Sequence, residues 1–175
     1  METKVPYYSI VNIFLPGLVL TGICGLLFFN EIRALADMVT ELGNTGLEVL
    51  VTVSLFAVTY KVGYIIFRVG AIIVEPILKK MFGWADYKDF IAAGKTSETA
   101  YEKLEMLSRE YGYARTQITL CVTIVVLAII RGEWWLIVCG VLCAVLFVFT
   151  AHGYMKKIQT AVPEYFAVNN RDGNK

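Results

Sequence analysis

Residues 98–130 read ETAYEKLEMLSREYGYARTQITLCVTIVVLAII. One apolar stripe runs the whole length: Ala100, Leu104, Leu107, Tyr111, Ala114, Ile118, Cys121, Val125 and Ala128. The steps alternate four and three, the spacing of a helix that packs along one seam. Nothing in the segment breaks a helix, so the spacing predicts a single one of about 50 Å at 1.5 Å per residue. The residues off the seam change half-way. Up to Arg115 many are charged, whereas 117–130 carry no charge at all. The first half therefore suits water and the second half suits lipid. Thr99 and Glu102 have the spacing of a capping box, with Thr96 and Ser97 as alternative caps.

Three other stretches repeat the lipid-suited half. Residues 10–29 hold no charge in 20 positions, 134–151 hold none in 18, and 49–74 hold only Lys61 and Arg68. Hydrophobic residues make up 57% of the 175-residue chain. A soluble domain would distribute them over faces, but here they come in blocks close to the ~20 residues that cross a bilayer's hydrocarbon. The expected fold is an all-α integral membrane four-helix bundle, built as two transmembrane hairpins. Its spans are expected at 10–29, 48–68, 113–130 and 134–152, with the second and third helices extended into the cytoplasm. The first apolar run exceeds the 7–15 residues of a signal peptide, so it is expected to stay as a span.

Charge placement gives the expected orientation. The 75–115 connection holds Lys79, Lys80, Lys88, Lys95, Lys103, Arg109 and Arg115, and the tail adds Lys156, Lys157, Arg171 and Lys175. The 30–48 linker has Arg33 against four acids. Lys and Arg mark the cytoplasmic side. Both termini, the connection at 75–112 and the tail at 156–175 are therefore expected inside, in a bacterial or archaeal inner or plasma membrane. A net charge of +1 leaves no nucleic-acid footprint.

Local signals refine the outline. Pro16-Gly17 predicts a kink in the first span, and Pro76 one in the second helix, which is expected to run from about 47 to 80. Ile32, Leu35, Val39 and Leu42 make 30–42 an amphipathic helix that either extends the first span or lies on the outer surface. Gly43-Asn44-Thr45-Gly46 and Arg131-Gly132-Glu133 read as turns. The fourth helix is expected to end near Ala161, before Pro163. Lys80 to Phe90 interleaves aromatic and charged residues, as an interfacial segment does.

Lys61, Arg68 and Glu75 recur at intervals of seven, so all three are expected on one stripe, roughly 10 Å apart per step. A charge at mid-bilayer costs about 2.5–3.5 kcal/mol or more, and it either snorkels or serves a function. Glu105 and Glu110 are the expected partners of the stripe. Gly17, Thr21 and Gly25, then Gly63 and Gly70, then Gly140 and Ala144, form small-residue stripes that allow close helix approach. His152 is the only histidine, placed at the inner end of the fourth span, and Asn12 is a lone amide in the first.

The four cysteines lack zinc or CxxC spacing, and no nucleophile–base set, HExxH or phosphate-binding loop is present. No enzyme activity and no cofactor or metal site are expected. The leading expectation is a homo-oligomeric pore or channel lined by Lys61 and Arg68 and gated through its cytoplasmic helices. A non-conducting scaffold or sensor is the alternative, binding a soluble cytoplasmic protein at 75–115 through Trp84, Tyr87, Glu105, Arg109 and Glu110. A small transporter is a third reading, weakened by the lack of a carboxylate inside the first, third and fourth spans.

Overall fold

The computed structural model describes residues 7–41, 45–85, 87–94 and 98–172, and no strand occurs among them. The helices are α1 (Tyr7–Leu27), α2 (Phe29–Glu41), α3 (Thr45–Val69), a π-helical turn (Gly70–Val74), α4 (Glu75–Phe82), α5 (Tyr87–Gly94), α6 (Glu98–Arg131) and α7 (Trp134–Asp172). Three stretches are long and apolar enough to cross a membrane: Thr45–Phe82, Thr99–Arg131 and Trp134–Pro163. The bent pair α1 and α2 makes a fourth if taken as one span.

α6 is the single helix that its seam predicts. Every seam residue is buried except Val125, which is half-buried. From 114 to 121 the helix is buried all round, Arg115, Thr116, Gln117 and Thr119 included. The Thr116 hydroxyl donates back to the Gly112 carbonyl at 2.9 Å, so it is satisfied within its own helix. Thr99 lies inside the first turn, after the helix has begun at Glu98, and so does not cap it. Thr96 and Ser97 lie outside the described residues.

The chain divides into two compact units, each drawing on part of α6 and α7. The first comprises Met1–Val69 and Thr119–Val141. Here α1 packs on α3 through residues with little or no side chain. A Cβ at Gly17 would run into the Thr59 carbonyl oxygen and stand 2.9 Å from the Gly63 nitrogen. A Cβ at Gly63 would run into the Ile13 carbonyl oxygen. Pro16 sits within α1 and is buried beside this contact. Leu20, Ile66, Leu120 and Ile124 complete the core of the unit.

At residue 28 the chain turns by 89° between α1 and α2. Of the two courses open to 30–42, the chain therefore takes the sideways helix rather than an extension of α1. Arg131, at the end of α6, holds this corner. Its guanidinium is 2.7 Å from Glu31 and lies over the Phe28 ring at 3.9 Å. The next residue, Gly132, has φ +76°. Gly132 donates to the Ile129 carbonyl and Glu133 to Ala128, the two bonds of a Schellman ending. The tight turn at 131–133 is thus present. The expected turn at 43–46 falls partly outside the described residues, and Thr45 and Gly46 already belong to α3.

The second unit comprises Gly70–Ile118 and Leu142–Lys175. Leu78 of α4, Tyr111, Ala114 and Ile118 of α6, and Ala151 and Met155 of α7 form one core cluster. Leu104 and Leu107 meet Ile158, Ala161 and Val162 in another. Pro76 does not interrupt the helical run, which passes from the π turn into α4. Its missing N–H and its ring are accommodated by the wider π turn at Gly70–Val74 just upstream, and Pro76 sits in the first turn of α4. Pro163 does not end the fourth helix either, since α7 runs through it to Asp172. A proline removes one i→i−4 bond, here to Gln159. Ala161 and Val162, buried against Leu104 and Leu107, hold the chain in line on its N-terminal side.

Candidate functional site

Glu75 is the first residue of α4, which continues directly from the π turn. In sequence a π turn lies between Arg68 and Glu75, so the interval of seven is not carried by one uninterrupted α-helix. Glu75 accepts a hydrogen bond from Arg115 of α6, a residue counted above only among the positive charges of the 75–115 connection. The Arg115 side chain is 9% exposed and that of Glu75 23%. Lys79, one turn along α4, stands 2.6 Å from the other carboxylate oxygen.

The pair is the head of a longer chain of contacts. The Lys79 ammonium lies 4.7 Å from the Trp84 ring centre, and Trp84 lies 5.0 Å from Tyr111. Tyr111 is buried, and its hydroxyl has no hydrogen-bond partner among the described residues. On the other side of α4, the Gln159 amide donates to the Phe82 carbonyl at 3.2 Å, closing the helix end where Gly83 turns at φ +75°. The Phe82 ring is 4.5 Å from His152, whose Nδ1 is enclosed without a partner among the described residues. These residues tie α4 to α6 and α7. Among the described residues no group of three or more His, Cys, Asp or Glu is arranged to hold a metal ion.

The other expected partner residues are dispersed. Trp84 is half-buried in the packing just described. Tyr87 opens α5, and its side chain lies outside the described residues. Glu105 pairs with Arg109 along α6, and Glu110 accepts from the Tyr154 hydroxyl at 3.5 Å.

Lys61 and Arg68 are exposed on α3. The face of α3 turned to α1 holds Thr59, Gly63 and Ile66. Lys61 is two residues from both Thr59 and Gly63, which places it on the far side of the helix. It has no hydrogen bond or ion pair among the described residues. Arg68 bonds the Tyr64 hydroxyl at 2.8 Å and stacks on its ring.

The small-residue stripes divide by use. Gly17 and Gly63 are in direct contact, and the Thr59 hydroxyl reaches Thr21 at 3.4 Å. Residue 17 of α1 thus lies level with 59 and 63 of α3. Gly25 meets nothing within 4 Å. Gly70 is buried at the start of the π turn, Gly140 abuts Val125 Cγ2, and Ala144 is half-buried. Thr59 is the member of this contact that the stripes omit, although its spacing of four from Gly63 is itself a small-residue signal.

No family model, curated protein or solved structure matches this chain.

Proposed function

We propose that this is a non-enzymatic, multi-pass membrane protein that assembles with copies of itself, with its α3 helices bordering a conducting path lined by Lys61. In this reading α1, α3, α6 and α7 supply four spans as two hairpins, with both termini on the cytoplasmic side. The positive charges at 75–115 and in the tail support that orientation. α2, turned by 89° and with Ile32 and Met38 exposed, has the form of a helix lying in the outer interface.

The observation that carries the proposal is Lys61. It is an exposed ammonium on an apolar helix, on the face away from α1 and without an internal partner among the described residues. Facing lipid at depth, it would cost on the order of 2.5–3.5 kcal/mol less whatever snorkelling recovers. A neighbouring subunit or a water-filled path removes that cost. The Thr45–Phe82 stretch that contains α3 has surface for it, since only 17% of its most apolar part is buried, as in Trp134–Pro163 and against 56% in Thr99–Arg131. A basic lining favours anions. Purified protein in planar bilayers is expected to pass anion-preferring current, and Lys61→Glu to turn the preference towards cations. Currents whose selectivity ignores that change, or no current under any voltage or trigger, would refute conduction through this path.

A non-conducting scaffold is the second reading. It draws on Tyr101 and Met106 of α6, which stand exposed beside the Glu105–Arg109 pair. Retention of a soluble protein that is lost when 81–110 is replaced would favour it.

A further inference from the structure

Within the second unit, a groove of about 740 Å³ runs between α6 and α7. Lys103, Lys156 and Lys157 line it together with Thr160, and none of its lining residues is acidic. Its apolar wall is Met106, Leu107 and Ala161, and at Gly153 an added Cβ would meet nothing within 4 Å. The ammonium groups of Lys103 and Lys156 have no hydrogen bond or ion pair among the described residues, and that of Lys157 rests over the Tyr154 ring at 5.3 Å. Three lysines thus line a space with one apolar side, and no carboxylate is among its lining residues.

We propose that this groove seats the headgroup of an anionic phospholipid, its glycerol end towards Gly153, its phosphate at Lys156 and Lys157, and Lys103 adding positive charge on the side away from the membrane. Charge complementarity selects an anion, and the apolar wall selects an amphiphile over a free anion. Position selects a lipid over a soluble partner. Lys156 is four residues past the expected end of the fourth span, ~6 Å along the helix. The headgroup layer on each side of a bilayer is about 5–7 Å thick, so Lys156 and Lys157 reach phosphate depth. This inference rests on α6 and α7 being spans with cytoplasmic extensions, and does not depend on conduction or assembly.

The test is native mass spectrometry of the full chain in detergent, titrated with phosphatidylglycerol or phosphatidylcholine. Wild type is expected to retain phosphatidylglycerol selectively. At about 1 kcal/mol for each lysine, the triple variant Lys103→Gln, Lys156→Gln, Lys157→Gln should bind it roughly 100-fold more weakly. The control Lys80→Gln, Lys88→Gln should bind as wild type does. Equal retention of both lipids, or equal retention by wild type and triple variant, overturns the proposal. So does retention of an acidic peptide in place of the lipid, which would make the groove a protein-docking site. A separate readout covers the topology: Lys156→Cys in sealed membranes should resist an impermeant thiol reagent added outside. Labelling there would refute the orientation while leaving the binding result to stand alone.

Discussion

Gly63→Ala is expected to part α1 from α3 and to lower stability by about 3 kcal/mol, the upper end of ordinary overpacking. The added carbon would meet the Ile13 carbonyl oxygen, which is backbone and can yield only if a whole helix moves. Gly17→Ala should do the same against the Thr59 carbonyl. Gly25→Ala supplies the contrast. It lies on the same sequence stripe but meets nothing within 4 Å, so the better helix propensity of alanine should leave stability unchanged or raised by about 0.5–1 kcal/mol. Gly140→Ala should fall between, because Val125 Cγ2 belongs to a side chain that can rotate. Thermal unfolding of the four variants in one detergent checks the order. Equal losses at 25 and 63 would mean that the α1–α3 contact is not built on these glycines.

Glu75→Ala is expected to destabilise the second unit by about 3 kcal/mol, the lower end of the range for breaking a buried pair. The lower end applies because Glu75 keeps 23% of its side chain exposed. The substitution takes the carboxylate from Arg115 and Lys79 together. Arg115→Met should cost less, about 1–2 kcal/mol, since Glu75 keeps Lys79 and no charged group is left buried in the place of Arg115. Denaturation by SDS in mixed micelles, followed by circular dichroism, gives the comparison. A larger loss from Arg115→Met than from Glu75→Ala would contradict the arrangement around the carboxylate.

The seam of α6 is legible in the sequence because its period is local: residues three and four apart share a face whatever surrounds the helix. The Gly17–Gly63 contact is half legible, since small residues announce close approach but do not name the partner helix. The pairing of Glu75 with Arg115 is not legible, although both are charged residues flanking the ends of one connection. They are 40 positions apart, and a stripe drawn through Lys61, Arg68 and Glu75 assumes an unbroken 3.6-residue turn. The π turn before Pro76 invalidates that assumption. The sideways course of α2 and the passage of α7 through Pro163 escape the sequence for a related reason. In each case the local signal fixes a helix, while packing fixes where it bends or continues.

Glu75 locks α4 inside its unit, whereas Lys61 projects from α3 with no partner among the described residues of its own chain. Self-assembly through α3 is the proposal that gives Lys61 a neighbour. The most direct test is the mass of the protein in lipid nanodiscs, joined to disulfide cross-linking of the Lys61→Cys variant. A mass that is a multiple of the 19.6 kDa chain, with dimers linked through the introduced thiol on oxidation, is the expected result. One chain per disc and no cross-link would contradict it.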